Sequence, residues 1–271
     1  MNPVRVRITF KVKNRGAAVP FHHQHLIAQI LKGLVLNSGE SQFQDYPYYS
    51  FSGIKGQTKV SRAGLHFNSN RVTVVISSPN RDFIDFLVTR IFDQSKIDFG
   101  SLTVIPEYAD EELNVDLADS VKYISISPLV LLSASFNSDE SKKFIEPGSD
   151  EFSDKIFDTT LQRMEQFGIQ TEEIEGLHKF QIVPDLAYIN KIRQSQKKFS
   201  RVYSIYHQDV KYEVRGYTFP FTLYAPQEVQ EFLFTCGIGF YNNKGFGMLD
   251  IANSDPTKRV VSYQASDLIS A

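Results

Sequence analysis

Two kinds of hydrophobic periodicity alternate along the first third of the chain. Val4–Val12 alternates apolar and polar residues with period two, which predicts a strand with one buried face. After Pro20, apolar residues recur at helical spacing in HHQHLIAQILKGLV, which predicts an amphipathic helix. A second helix is expected to begin at Pro79-Asn80, and further strands are expected at Tyr48–Phe51, Arg71–Ile76 and Leu102–Ile105. The resulting order, β-α-β-β-α-β, is that of a ferredoxin-like unit.

A less regular repetition of this order follows an acidic stretch, Glu107–Asp119, which is expected to be a linker. Helices are predicted at Asp150–Phe167 and Pro226–Phe234. Strands are predicted at Tyr123–Leu132, which Pro128 interrupts, and at Lys179–Val183, Tyr212–Tyr224 and Phe246–Ile251. The basic run Asn190–Arg201 is interpreted as an insertion. The sequence therefore predicts an α+β protein with two tandem ferredoxin-like (RRM-like) domains, residues 1–118 and 119–271.

Charge and cysteine content restrict the function classes. The net charge of −2 argues mildly against a nucleic-acid partner, but positive residues gather at Lys55–Arg62 and Lys191–Arg201, so a local basic groove is compatible with it. The single cysteine, Cys236, excludes an internal disulfide framework and a cysteine-rich zinc site. No signal-peptide core or membrane-spanning apolar run is present, which favours a soluble cytoplasmic protein.

The segment GIGFYNNKGFGML, residues 237–249, is the most informative motif. Two Gly-x-Gly pairs, Gly237/Gly239 and Gly245/Gly247, flank a short stretch that contains Lys244. Such glycines permit positive φ and close backbone approach, and successive amides can form an anion-binding nest. The motif is not a P-loop, since no Gly-Lys-Ser/Thr ending precedes a helix. An ordinary hairpin turning at Asn242-Asn243 is the alternative interpretation.

This glycine-rich segment resembles the G-rich loop of the CRISPR repeat-RNA processing endoribonucleases of the RAMP superfamily. Two other segments resemble the same family in order: the opening strand, proline and helix (Val4–Val12, Pro20, HHQHLIAQIL), and YISISPLVLL in the middle of the chain. The resemblance implies two ferredoxin-like domains that bind a CRISPR repeat transcript in a central cleft. It further implies cleavage without metal or another cofactor, giving a 2′,3′-cyclic phosphate and a 5′-hydroxyl, with the scissile phosphate beside the G-rich loop and the first helix.

Helix geometry selects candidate catalytic residues. His25 and Lys32 are seven residues apart, so on an α-helix they differ by only about 20° in direction. Histidine suits proton transfer near neutral pH and lysine can stabilise a phosphorane, so these two are catalytic candidates. Lys55 is the third candidate, because the resemblance implies a lysine beyond the first helix. The candidates for RNA binding are Lys59, Arg62, Lys197, Lys198, Arg201, Gly237, Gly239, Lys244, Gly245 and Gly247. Solvated surface positions are the simpler interpretation of the charged ones.

Histidine spacing gives no support for a metal site. His22, His23 and His25 lack the i, i+4 spacing and the carboxylate of a helical zinc site, so no metal ligands are assigned. His66 is expected to be a strand residue with structural partners.

The sequence also departs from the family. Many members have a histidine shortly after the first helix and a tyrosine on it, whereas here no histidine lies between Lys32 and Tyr48, and Lys32 stands where the tyrosine is often found. A non-catalytic RNA-binding RAMP subunit of a CRISPR ribonucleoprotein is therefore the second hypothesis. A two-domain ferredoxin-like enzyme or regulator that binds a small anion is the third. Partners beyond repeat RNA would be other CRISPR-associated proteins, and the chain would be a monomer or homodimer.

Overall fold

The computed structural model describes residues 3–132, 145–195, 199–207 and 210–265. The chain divides into two units. The first comprises residues 1–114, 243–245 and 255–271, and the second comprises residues 115–242 and 246–254. The first unit thus includes two segments from the carboxyl-terminal part of the chain as well as its beginning. The predicted division at residues 118 and 119 does not describe such segments and stays a prediction.

The first unit contains a sheet in which every pairing is antiparallel. Its strands are β1 (Val4–Val12), β3 (Ser50–Phe51), β6 (Arg71–Ser78), β7 (Ile97–Phe99), β8 (Leu102–Glu112) and β16 (Val260–Ser262), in the order β16-β8-β1-β6-β3 with β7 paired to β8. The path β8-β1-β6-β3 has the ferredoxin-like order, in which the first strand lies between the fourth and the third. A smaller sheet consists of β2 (Ala18–Val19), β5 (Gly64–Phe67) and β4 (Thr58–Ser61).

Two helices supply the rest of the first unit's core. Helix α1 (Gln24–Leu36) buries Ile27, Leu31 and Val35, one residue per turn of the predicted apolar stripe. Helix α2 (Arg81–Phe92) begins after Asn80, whose side chain accepts a hydrogen bond from the amide of Phe83. Val4, Val6, Ile8 and Phe10 of β1 share one core with both helices, as the period-two pattern predicts. Arg5, Arg7 and Thr9 on the opposite face are also buried, so the prediction of a single buried face is wrong.

The second unit repeats the arrangement with insertions. Its strands β9 (Ser120–Ser125), β11 (Gln181–Pro184), β14 (Pro220–Tyr224) and β15 (Leu249–Ile251) form an antiparallel sheet in the order β11-β14-β9-β15. Helices α3 (Asp150–Phe167) and α5 (Gln227–Cys236) connect them in the ferredoxin-like order. The insertions are α4 (Leu186–Gln194) and a sheet of β10 (Leu129–Val130), β13 (Val210–Tyr217) and β12 (Ser200–His207). The predicted α+β, ferredoxin-like fold class is confirmed.

Three other local predictions are wrong, and β16 was not predicted. Residues 107–112 are not linker but the end of β8, where the buried carboxylate of Glu112 accepts from Arg5 at 2.8 Å and from Arg7 at 2.7 Å. The predicted strand Tyr212–Tyr224 is two strands, β13 and β14, which belong to different sheets. The predicted strand Tyr123–Leu132 likewise becomes β9 and β10, also in different sheets. Each error concerns a partner that is distant in sequence, which local periodicity does not reveal.

Candidate functional site

The glycine-rich segment connects α5 to β15, and the turn inside it is a single 3₁₀ turn, Asn242–Lys244. β15 pairs with β9, so the alternative interpretation of the segment as a hairpin is wrong. All four glycines have positive φ, between 71° and 87°. At Gly247 a Cβ would overlap the carbonyl oxygen of Ile238, so only glycine fits this path.

The side chain of Asn242 holds the second unit's part of this loop together. Its Nδ2 donates to the carbonyl oxygens of Ile238 and Phe246, both at 3.1 Å, and the residue is buried. The amides of Gly237 and Gly247 donate to Leu233 and Pro128. Both amides are thus used inside the protein, so the RNA-binding role of Gly237 and Gly247, which stays a prediction, would not use these donors.

Residues 243–245 form the loop tip, and they lie in the first unit together with α1. Gly245 of the loop tip lies very close to Phe51 and to Gln24, the first residue of α1. A Cβ at Gly245 would be 2.6 Å from Cε2 of Phe51 and 2.8 Å from Cβ of Gln24. The hydroxyl of Tyr49 donates to the carbonyl oxygen of Asn243 at 3.2 Å. The loop tip therefore packs against the start of α1 and against β3. The sequence analysis expected the glycine-rich loop to lie beside the first helix.

Lys244 and Lys32 are the two cations that the structure brings together at the loop tip. Burial lowers the pKa of Lys244, and the positive charge of Lys32 lowers it further. Helix α1 contains no acidic residue to offset these charges. The positive end of the helix dipole adds to the same potential at its amino terminus. Two positive charges therefore lie near each other where the loop tip meets the first unit.

Three histidines surround the start of α1, and they differ in environment. His23 is buried: its Nε2 accepts from the amide of Ile54 at 2.9 Å, so its Nδ1 carries the hydrogen that Pro20 O accepts at 3.1 Å. Burial lowers the pKa of His23 to about 4, so the ring is neutral at physiological pH.

His25 is half-buried, and its Nδ1 donates to the carbonyl oxygen of His22 at 2.7 Å. That bond leaves Nε2 as the proton-accepting nitrogen of the neutral ring. The ring lies 5.5 Å from that of His22 between centroids. His25 is therefore at the start of α1, on the turn that Gly245 approaches, whereas Lys32 lies two turns further along.

The remaining sequence candidates are dispersed. Lys55 is half-buried, and its backbone pairs with that of Thr73. Lys55 follows Ile54, whose amide donates to His23. Lys59 lies on β4 and Arg62 in the turn before β5, both exposed. Arg201 is exposed on β12, whereas Lys197 and Lys198 lie outside the described residues.

Two further candidates have clear positions. Gly239 is buried, and a Cβ there would be 2.5 Å from the carbonyl oxygen of Val130. His66 binds Gly16 O and Ser61 Oγ, each at 2.8 Å, which confirms its expected structural role.

Sequence reasoning missed two residues of this site, Gln24 and Tyr49. Both are polar residues on predicted apolar elements, and both are buried. A buried polar residue has no local signature, because its burial depends on the loop tip that covers it. Within the described ranges, no cluster of three or more His, Cys, Asp or Glu side chains is arranged to hold a metal ion. Across the same ranges, no helix has both the length and the apolar character needed to cross a bilayer.

Comparison with known proteins decides the family. The sequence model described as CRISPR associated protein Cas6, C-terminal, matches residues 111–251, just over half of the chain. The chain belongs to the Cas6 family. The match includes the whole glycine-rich segment, so the resemblance to the CRISPR repeat-RNA processing family is confirmed.

The Cas6 relatives extend over almost the whole chain. The CRISPR-associated endoribonuclease Cas6 1 of Methanocaldococcus jannaschii is 20% identical over 254 residues, which is 91% of this chain and 92% of that protein. The solved structure of a Cas6-related gene from Pyrococcus furiosus superposes with a TM-score of 0.76 at 19% identity, covering 93% of this chain and all of that one. A structure described as an RAMP protein binding different RNA substrates gives a TM-score of 0.75 at 17% identity, over 92% and 100%. These structural likenesses show a shared fold.

Proposed function

We propose that this Cas6 family member is an endoribonuclease that cleaves CRISPR repeat transcripts without a metal ion and leaves 2′,3′-cyclic phosphate and 5′-hydroxyl ends. The observation that carries the proposal is the pairing of Lys244 and Lys32 where the loop tip meets α1. Two neighbouring cations suit a phosphodiester, because each phosphate carries a negative charge. The name of the Methanocaldococcus jannaschii relative supports the same activity.

The proposed chemistry assigns a role to each side chain. The 2′-hydroxyl attacks the adjacent phosphorus in line, its proton leaves to a base, and the 5′-oxygen of the departing strand receives a proton. His25 is the proposed base, since its Nε2 is the unprotonated ring nitrogen. Lys32 stabilises the charge on the phosphorane.

Lys244 and Lys55 complete the proposed site. The lowered pKa of Lys244 makes its ammonium a stronger acid than that of an exposed lysine, and it protonates the leaving oxygen. Lys55, close in sequence to the residue that binds His23, supplies a further charge to the phosphate.

The test is a cleavage assay with the repeat RNA of the same genome in excess EDTA. The expected products are a strand ending in a 2′,3′-cyclic phosphate and a strand beginning with a 5′-hydroxyl, identified by end-group analysis. A 2′-deoxy substitution at the cleaved nucleotide is expected to abolish cutting, because it removes the nucleophile. Activity that returns only when magnesium is added would refute the metal-independent mechanism.

A non-catalytic, RNA-binding subunit is the second candidate function. It is favoured by the absence of a histidine between Lys32 and Tyr48, together with the burial of His23, which removes one of the three nearby rings from chemistry. Tight repeat binding without cleavage, unaffected by His25→Ala and by Lys32→Ala, would support this function over the first.

The wider RNA surface is also a proposal. Lys59 and Arg62 are exposed on one edge of the small sheet of the first unit, and Arg201 is exposed on β12 of the second. With Lys197 and Lys198, they are proposed to neutralise phosphates of the repeat beyond the cleaved bond. Their substitution by alanine is expected to weaken binding similarly for any RNA sequence and to reduce its salt dependence.

A further inference from the structure

Gln24 has an unusual environment for a glutamine. It is only 6% exposed, and its Oε1 is buried with no hydrogen-bond partner. A buried carbonyl oxygen without a partner is costly, because the loss of its hydration is not repaid. Such a group in a native fold indicates a partner that is absent from the free protein.

The surroundings of Gln24 identify where that partner lies. Gln24 is the first residue of α1, and Gly245 of the loop tip approaches its Cβ. On its other side, Nε2 would be 3.8 Å from a Cβ at Gly53. The side chain of Gln24 thus lies between Gly245 of the loop tip and Gly53. Lys244 is the residue just before Gly245.

The start of α1 offers hydrogen-bond donors beside this unpaired acceptor. His23 makes no capping bond with its side chain, so the first-turn amides of α1 are not capped by a side chain at this end of the helix. Such amides and a helix dipole bind phosphate oxygens. The site therefore has donors for an anion and an acceptor, Oε1 of Gln24, for a hydroxyl or amine next to that anion.

We infer that Gln24 is a ribose-binding residue whose Oε1 accepts a hydrogen bond from the 2′-hydroxyl of the nucleotide at the scissile phosphate. A 2′-hydroxyl beside a phosphate matches the combination of one acceptor and several donors, and it distinguishes RNA from DNA. A half-turn of the terminal amide exchanges Oε1 and Nε2, so the acceptor can also be presented where Nε2 now lies. This inference rests on the proposed function, since it places the reacting nucleotide at the loop tip.

Gln24 transfers no proton in this assignment. An amide is not basic at physiological pH, so the 2′-hydroxyl keeps its hydrogen until the base removes it. The hydrogen bond orients the hydroxyl. The expected result of losing it is weaker selection for a 2′ donor, with the base and the general acid unchanged.

The test uses two RNAs that cannot form a cyclic phosphate, so that binding is measured without cleavage. One carries a 2′-amino group, which donates a hydrogen bond, and the other a 2′-fluoro group, which cannot donate. The substitution is placed at the cleaved nucleotide, or at each repeat nucleotide in turn if the protein does not cut its repeat, and binding is measured in EDTA at mildly alkaline pH, where the amine is neutral. The wild-type protein is expected to bind the 2′-amino RNA about fivefold more tightly at one nucleotide, the size of one net hydrogen bond.

Three variants make the result specific to Gln24. Gln24→Met keeps the size of the side chain but has no strong acceptor, so the preference is expected to disappear. Gln24→Glu keeps the acceptor, so the preference is expected to remain while both RNAs bind more weakly through charge repulsion. Gln29→Met, at an exposed position of the same helix, is the matched control and is expected to behave as wild type.

The outcomes separate this inference from the proposed function. A preference that is equal in wild type and Gln24→Met, in a protein that cuts its repeat, would overturn the inference alone. A preference lost in Gln24→Met, in a protein that never cuts, would support the inference and overturn cleavage. If Gln24→Met does not fold, the comparison of Gln24→Glu with wild type decides, because loss of the preference in that acceptor-bearing variant would contradict the assignment.

Discussion

The buried imidazole of His23 makes the stability of the protein sensitive to mild acid. Burial lowers the pKa of His23 from 6.5 to about 4, because the charged ring cannot be hydrated inside the first unit. Protonation would also remove the lone pair at Nε2 that accepts from the amide of Ile54. The folded state therefore resists a proton that the unfolded state binds readily.

The magnitude follows from the shift in pKa. Near neutral pH the ring is neutral in both states, and its full contribution to stability is present. As pH falls through 6.5 the unfolded state takes up a proton and the folded state does not, so stability decreases until pH reaches about 4. A shift of this size corresponds to roughly 3 kcal/mol of unfolding free energy lost across that window.

His23→Gln isolates this contribution. Glutamine does not titrate, and its side-chain oxygen can accept from the amide of Ile54. Chemical denaturation is followed by far-UV circular dichroism, since the chain contains no tryptophan. Between neutral pH and pH about 4, the unfolding free energy of wild type is expected to decrease by roughly 3 kcal/mol more than that of the variant. Parallel pH profiles for the two proteins would refute the reasoning.

Three further substitutions test the loop and its cations. Gly245→Ala is expected to cost about 2 kcal/mol or more of unfolding free energy and to reduce cleavage, because a Cβ at positive φ meets Phe51. The control is Gly33→Ala, where a Cβ meets no atom within 4 Å. This control should stabilise α1 by about 0.5–1 kcal/mol. Equal effects of the two would contradict the close approach. Lys32→Gln removes one cause of the lowered pKa of Lys244, so that pKa should rise in an NMR titration; an unchanged or lower value would show that the two charges do not interact. Asn242→Ala leaves two buried carbonyl groups without their donor, so it should cost about 1–3 kcal/mol of unfolding free energy, measured by denaturation. An unfolding free energy equal to that of wild type would show that these two hydrogen bonds do not stabilise the loop.

Local patterns along the sequence were sufficient for the ferredoxin-like order of the elements, although not for every strand. Helix α3 begins and ends at the predicted residues, Asp150 and Phe167, because its serine cap, apolar stripe and terminal glycine all lie within the segment. The alternation in β1 and the stripe in α1 likewise depend only on neighbouring residues. The glycine spacing near the carboxyl end indicated the family, since it marks a backbone path that other residues cannot follow.

What the sequence by itself determined, therefore, is the ferredoxin-like order of elements and the presence of a loop that only glycines permit. Tertiary structure alone decided that β16 joins the first sheet, that Glu112 is a buried partner of two arginines, and that His23 is neutral. It also decided which lysines meet and which glutamine is left without a partner. The physical reason is that burial and charge proximity are set by residues far apart in the chain, whereas periodicity and backbone conformation are set by neighbours.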